Sequence, residues 1–77
     1  MHAATKILFE VQEMTSRNDA LEFCRNKKEF YHEDVTEGEN SNTNVFTFKD
    51  GSILYIGFDN EIYTDNCSET IKMNNWD

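Results

Sequence analysis

Two histidines and two cysteines are the residues of this chain best suited to binding a metal ion. His2, Cys24, His32 and Cys67 make up the inventory of a structural zinc site. Such sites take their ligands in pairs separated by about two to five residues, and no two of these four are so spaced. We therefore expect no zinc site, and no other cofactor, with His32 instead near a helix end.

The two cysteines are expected to be reduced thiols. The amino terminus lacks the basic and then apolar order of a secretory signal, and no apolar run approaches the about 20 residues of a membrane span. We therefore expect a cytoplasmic protein, in which thiols stay reduced. Cys24 falls on the apolar stripe of a predicted helix, which favours a core residue over a nucleophile. A disulfide between Cys24 and Cys67 is the alternative.

Other catalytic and binding motifs are weak. The run 59–65 partly matches a calcium loop, but Thr64 stands where glycine is required. Catalysis needs a nucleophile beside a base, or two carboxylates in different environments, and the acids here lie on polar segments without a predicted pocket. We expect a protein that is not an enzyme.

The charges are segregated along the chain. Residues 1–30 hold five acidic and five basic residues, whereas residues 31–77 hold ten acidic residues against Lys49 and Lys72, so the second half carries the net charge of −8. Five of the seven basic residues are thus balanced by acids, which disfavours direct nucleic-acid binding. The second half predicts an acidic surface suited to a basic partner.

Three elements are predicted in the first half. Residues 6–12 alternate, with Ile7, Phe9 and Val11 on one side and Leu8 as an exception, which predicts a strand. Ser16 can cap a helix that continues to about residue 32. Residues 33–44 are polar and acidic, which predicts a mobile loop.

A three-stranded meander is predicted for residues 45–64, with turns at Asp50-Gly51 and Asp59-Asn60. A three-residue loop ending at Gly51 gathers the apolar residues on one face, which a single helix can cover. The predicted buried face is Phe46, Phe48, Leu54, Ile56, Phe58 and Ile62, and the predicted outer face is Thr47, Ile53, Tyr55, Gly57 and Tyr63.

The predicted architecture is a single α+β domain over residues 1–77, with one helix packed on a small antiparallel sheet in two layers. The element order is strand, helix, strand, strand, strand. The tail, residues 65–77, is expected to be loosely ordered, with Ile71, Met73 and Trp76 forming either a short edge strand or an anchor.

The candidate partner-binding residues combine carboxylates with two tyrosines. Aromatic anchors surrounded by charge are typical of protein interfaces, whereas acids that serve only solubility are the alternative. The predicted set is Glu33, Asp34, Glu37, Glu39, Tyr55, Asp59, Glu61, Tyr63, Asp65 and Glu69.

The length, the acidity, a single helix after strand 6–12 and the hairpins around Asp50-Gly51 and Asp59-Asn60 resemble the small anti-CRISPR proteins of phages and mobile elements. The resemblance spans the chain without a shared motif, so it transfers no functional residue. It implies an acidic inhibitor that occupies a basic nucleic-acid channel, or an adjoining subunit surface, of a host CRISPR effector.

Two other functions remain open. An antitoxin-like or regulatory interaction domain would neutralise a basic partner or dimerise through an exposed sheet edge. A homodimer formed through Ile53, Tyr55 and Tyr63 would favour that function. A small enzyme is the third possibility.

Overall fold

The computed structural model describes residues 1–36, 42–65 and 67–76. Within them, two helices precede five strands: α1 (Ala3–Val11), α2 (Arg17–Arg25), β1 (Phe30–Thr36), β2 (Thr43–Phe48), β3 (Ile53–Ile56), β4 (Glu61–Thr64) and β5 (Cys67–Lys72). The strands form one antiparallel sheet in the order β1-β2-β3-β4-β5. The α+β class and the packing of helix on sheet are confirmed, but the predicted order is wrong because the helices come first.

Residues 6–11 lie in helix α1 and Gln12 caps its end, so the predicted strand 6–12 is wrong. Ile7, Leu8 and Val11 are fully buried, at the three- and four-residue spacing of a helix face. Leu8, the exception to the alternation, fits this helical period, whereas Phe9 is 46% exposed. A short apolar run fits both the helical period of about 3.6 residues and the two-residue period of a strand. The local pattern alone therefore could not separate helix from strand.

The amino-terminal end of α1 is capped from a distant turn. His2 makes no side-chain cap, and Asp50 Oδ2 instead accepts a hydrogen bond from the backbone N–H of Ala3 at 2.8 Å. Ser52 Oγ accepts from the N–H of Ala4 at 2.9 Å. Two of the unpaired donors at the helix start are thus satisfied by the β2–β3 loop.

Helix α2 begins where Ser16 predicts and ends earlier than expected. Ser16 Oγ accepts a hydrogen bond from the Asp19 N–H, and the helix ends at Arg25. His32, expected near a helix end, lies in β1, as do residues 33–36 of the predicted acidic loop. Pairing with β2 supplies the backbone partners that make this polar segment a strand. Residues 37–41 of the predicted loop lie outside the described residues.

Arg17 attaches the start of α2 to the end of the sheet. Its guanidinium group donates hydrogen bonds to three backbone carbonyls and two side-chain amides. The acceptors are the carbonyl oxygens of Asn42, Ile56 and Gly57 and the side-chain oxygens of Asn44 and Asn60. Burial lowers the pKa of Arg17, and the Asp59 carboxylate opposes that effect.

The predicted meander and its first register are confirmed. Phe46 pairs with Leu54 and Thr47 with Ile53, across a three-residue loop in which Gly51 has φ 87°. The second loop consists of residues 58–60, closed by a 2.7 Å hydrogen bond from the Gly57 N–H to the Glu61 carbonyl. Phe58, predicted to be buried, is therefore half exposed in this loop, and Gly57, predicted on the outer face, is buried.

The tail supplies both an edge strand and an anchor. Strand β5 pairs with β4, and Met73 and Trp76 join the core beyond it. Trp76 Nε1 donates a 2.9 Å hydrogen bond to the carbonyl of Met14, which lies between the two helices in the chain. The carboxyl-terminal segment is thereby tied to the helical layer.

One face of the sheet, the inner face, packs against the helices. It consists of Phe46, Phe48, Leu54, Ile56 and Ile62, all at most 1% exposed. Helix α1 lies over β2, β3 and β4, while α2 contacts α1 and β1. Both helices of the described chain are nine residues long, and neither is long and apolar enough to cross a membrane.

Cys24 is a free cysteine in this core, as predicted. Burial raises the pKa of its thiol to about 12, and the Glu33 carboxylate adds to that effect. A thiol with so high a pKa is protonated at neutral pH and unreactive. The prediction for the Cys67 thiol lies outside the described side chains.

Candidate protein-binding surface

The second face of the sheet, the outer face, is left uncovered by the described helices. In an antiparallel sheet, directly paired residues point to the same side, so the register defines this face. Asp34 pairs with Val45, Val45 with Tyr55, and Tyr55 with Tyr63. These four side chains form one row across β1 to β4, which we call the central row.

Two tyrosines stack in the central row. The rings of Tyr55 and Tyr63 are nearly parallel at 12°, with centroids 4.7 Å apart. The Tyr55 hydroxyl donates a hydrogen bond to Asp65 Oδ2 at 3.3 Å. Burial raises the pKa of Tyr55, and the Asp65 carboxylate reinforces it. The pair is a preformed aromatic surface, of the kind that supplies binding energy in interfaces.

Carboxylates flank the aromatic pair on several sides. Asp34 ends the central row on β1, and Asp65 lies beside the Tyr55 hydroxyl. Glu61 precedes Tyr63 by two residues on β4 and therefore lies on the same face. The outer face thus combines stacked rings with carboxylates, of which Asp34 lies 3.1 Å from His32 Nε2 through its Oδ2.

Asp59 and Glu61 interact at the β3–β4 loop. Asp59 Oδ1 accepts a 3.2 Å hydrogen bond from the Glu61 N–H, and Asp59 Oδ2 is 3.6 Å from Lys72 Nζ. A hydrogen bond between the two side chains, followed by the negative charge of Asp59, raises the pKa of Glu61. Burial alone would raise the pKa of Asp59, but its hydrogen bonds and Lys72 outweigh burial and lower it. Lys72 offsets part of the charge at this corner.

Glu33 lies on the other side of β1 from Asp34. Arg25 donates to both of its carboxylate oxygens, at 2.7 and 2.9 Å, and Asn44 Nδ2 donates at 2.8 Å. The hydrogen bond from Arg25 lowers the pKa of Glu33. This carboxylate is therefore neutralised by helix α2 and is not displayed with the central row.

The structure thus brings together only part of the predicted site. Asp34, Tyr55, Glu61, Tyr63 and Asp65 share the outer face, and Asp59 borders it. Glu69 is exposed on β5, and Glu37 and Glu39 lie outside the described residues. The acidic region is consequently smaller than the charge count alone suggests.

Val45 is the member of the central row that the sequence-based site omitted. It is partly buried between Asp34 and Tyr55, with which it pairs. The sequence contained a signal for Val45, because it alternates with Phe46 and Phe48. Both phenylalanines are predicted to be buried, so strand alternation places Val45 on the outer face. Lys72, close to Asp59, was also missed, since only the β4–β5 register brings it there.

No metal site or pocket is found in the described part of the chain. Within residues 1–36, 42–65 and 67–76, no three side chains of His, Cys, Asp or Glu are grouped to hold a metal ion, and no cavity is present. Comparisons of the chain with protein-family models, with curated proteins and with solved structures find no match. The outer face is therefore assessed by its own geometry and charge.

Proposed function

We propose that the protein is a binding protein without catalytic activity, whose outer face docks on a basic surface of another protein. The observation that supports this most is the central row: stacked Tyr55 and Tyr63, extended by Val45 and surrounded by carboxylates, on a face that the described helices leave open. Rigid aromatic anchors inside a charged rim are typical of protein interfaces.

The sign of the charge supports a basic partner. A net charge of −8 on a 9.1 kDa chain attracts cationic surfaces over long range and accelerates association at low salt. Duplex DNA carries one negative charge per about 1.7 Å, so carboxylates on a protein can compete with phosphates for the same lysines and arginines. A nucleic-acid-binding protein therefore fits as the partner.

The specific form of this proposal is inhibition of a CRISPR effector. The resemblance in size and acidity to small anti-CRISPR proteins supports it. Binding of the outer face to the basic channel of an effector subunit, or beside that channel, would exclude nucleic acid. The chain would act by occupying the surface and would cleave or modify nothing.

The first experiment measures competition with DNA for purified CRISPR effector complexes across a range of salt concentrations. We expect the wild-type chain to displace DNA, with weaker competition as salt rises. Asp65→Lys should weaken competition, whereas Glu13→Lys, an equal charge reversal at an exposed residue that follows α1, should have a much smaller effect. Equal effects of the two reversals would show that only net charge matters.

The aromatic pair requires its own variant. Tyr63→Ala should weaken binding by about 2 kcal/mol, as expected for a central aromatic anchor, or about 30-fold in Kd. Phe9→Ala is the matched control, because Phe9 is an exposed aromatic residue on α1. Full binding by Tyr63→Ala would overturn the outer face as the docking surface.

An antitoxin-like or regulatory domain is the second candidate, because the same outer face would fit a basic toxin. Co-expression with a toxin distinguishes the two functions. Rescue of growth that depends on Tyr63, without any competition against DNA on an effector, would favour the antitoxin function. Failure of both assays would leave the outer face without either partner class.

A further inference from the structure

Strand β1 is a long and open edge of the sheet. It is seven residues long and pairs only with β2 among the described strands. Tyr31 is 72% exposed and Val35 51% exposed on this strand. Open edges are usually protected by charged side chains, especially lysine, by proline, by a β-bulge or by a covering element, because their free backbone groups can pair with another strand. β1 contains neither lysine nor proline; it carries Glu33 and Asp34, and its pairing with β2 shifts register between Phe30 and His32.

The backbone groups that face away from β2 follow from the ladder. Phe48 N–H donates to the Ser52 carbonyl, so Phe48 bonds toward β3. Antiparallel ladders alternate, which directs the backbone groups of Val45 and Thr47 toward β1. Their paired residues, His32 and Asp34, therefore bond to β2. Glu33 and Val35 are left with N–H and carbonyl groups pointing outward.

The sequence of β1 is complementary to itself in the antiparallel direction. When two copies are aligned with Glu33 on the two-fold axis, His32 of one copy faces Asp34 of the other, and Tyr31 faces Val35. The outward N–H and carbonyl groups of the two Glu33 residues then pair with each other, whereas Val35 lies opposite Tyr31, where the pairing of β1 with β2 is irregular. We propose that two copies of this chain pair through β1 in this register and join their two five-stranded sheets into one.

Neighbouring registers are less favourable. An axis at Asp34 places two aspartates opposite each other, and an axis at His32 places two histidines opposite each other and loses the contact with Asp34. If the two-fold axis fell between two residues, each residue whose backbone N–H and carbonyl bond to β2 would face a residue whose backbone groups point outward. Such a register forms no ladder of hydrogen bonds. Only the axis at Glu33 combines an in-phase pairing of the two Glu33 residues with opposite charges at His32 and Asp34.

The two Glu33 residues on the axis are compatible with pairing. Each carboxylate is bound at both oxygens by its own Arg25 and accepts a third hydrogen bond from Asn44. These contacts lie on the helix side of the sheet. The axis therefore brings together two ion pairs, each without net charge, and not two free carboxylates.

Pairing through β1 goes beyond the proposed function, because it needs no basic partner. Directly paired residues share a face, so the two outer faces would lie on the same side of the joined sheet. The width of one outer face is that of five strands about 4.8 Å apart, and its length is that of about five residues with a rise of about 3.3 Å each. The area of one outer face is therefore roughly 400 Å². A stable interface uses about 800 Å² per partner, so two copies would supply an adequate surface.

The experiment measures mass by sedimentation equilibrium, without any partner. We expect a species of twice 9.1 kDa that dissociates on dilution. Val35→Pro removes an outward N–H that is not used in the β1–β2 ladder, and should give a folded monomer. Circular dichroism and the emission of Trp76 check the fold of the variant.

Exchanging the charges of His32 and Asp34 tests the register of the dimer. It also tests the proposal if the Val35→Pro variant does not fold. His32→Glu and Asp34→Lys should each weaken the dimer about tenfold in Kd, because each acts at two symmetry-related contacts. The double variant restores opposite charges, within and between copies, and should recover the dimer to within about threefold of the wild type.

The opposite results would overturn the proposal. A mass of 9.1 kDa for the wild type at about 1 mM would exclude an interface of useful affinity. A dimer that persists in Val35→Pro and in both single charge variants, but is lost in Tyr63→Ala, would place the interface on the outer face. Because these measurements use the chain alone, their failure is distinguishable from failure to bind a CRISPR effector.

Discussion

The two faces of the sheet are made from alternate residues of the same strands but have different surroundings. On β3, Ile56 is fully buried under the helices, whereas Ile53, three residues earlier, lies on the outer face and is only partly buried. Strand alternation creates two faces, and two nine-residue helices cover one of them. The inner face therefore forms the core, and the outer face is left uncovered by the described helices.

The largest expected difference comes from matched isoleucines on β3. Ile56→Ala should lower the free energy of unfolding by about 2–5 kcal/mol, because it leaves a cavity in the core. Ile53→Ala should cost about 1 kcal/mol or less, because the site is open to solvent. Urea unfolding followed by the emission of the single tryptophan, Trp76, measures both. If Ile56→Ala does not fold, the Ile→Val pair at the same positions repeats the comparison at smaller cost. Equal losses would contradict the distinction between the faces.

The next effect concerns how α2 is held over the inner face. Arg17→Lys should lower the free energy of unfolding by about 2 kcal/mol, because one ammonium group cannot replace the five hydrogen bonds of the guanidinium group. Arg25→Lys is the matched control in the same helix, and it should cost about 1 kcal/mol or less because its ion pairs are more exposed. Thermal unfolding of the two variants provides the measurement, and a larger loss for Arg25→Lys would contradict the assignment.

A smaller loss is expected from the helix cap. Ser16→Ala removes the acceptor for the Asp19 N–H and should cost about 1 kcal/mol. Thr15→Ala, at the exposed residue before it, should change the free energy of unfolding by less than about 0.5 kcal/mol. Urea midpoints of the two variants show whether the cap contributes to covering the inner face.

The smallest effect is a pH dependence at the start of α1. The hydrogen bond from the Ala3 N–H, followed by those from Ser52, lowers the pKa of Asp50 to about 2 from an ordinary 3.8. A lowered carboxyl pKa stabilises the fold above the ordinary value, and this contribution is lost as pH falls through the folded pKa. Asp50→Asn should therefore be less stable than wild type at pH 5. The difference should shrink as pH falls from about 4 to about 2, and urea midpoints between pH 5 and 2 measure it. A constant difference would contradict the role of the charge.

Much of the meander and part of the candidate surface could be predicted from the sequence. The alternation around Phe46 and Leu54, with Gly51 at the loop, was sufficient for the correct register and placed Tyr55 and Tyr63 on one face. The helix start at Ser16 was also predicted. These features depend on neighbouring residues, so a local pattern carries them.

Other elements depended on distant contacts. The run around Leu8 was predicted as a strand, but its helix is capped by Asp50 and Ser52. The segment around Glu33 was predicted as a loop, but it is a strand because β2 pairs with it. No local pattern could reveal either contact.

The sequence by itself determined the net charge, the two-residue alternation of the central strands and the loop at Gly51, because each is a property of residues close together in the chain. Only the tertiary structure decided which carboxylates are displayed. Asp34 lies on the outer face in the central row, separated from Tyr55 by Val45, whereas its neighbour Glu33 is bound by Arg25 on the inner face. The reason is that adjacent residues of a strand point to opposite faces, and the helices cover only one of those faces.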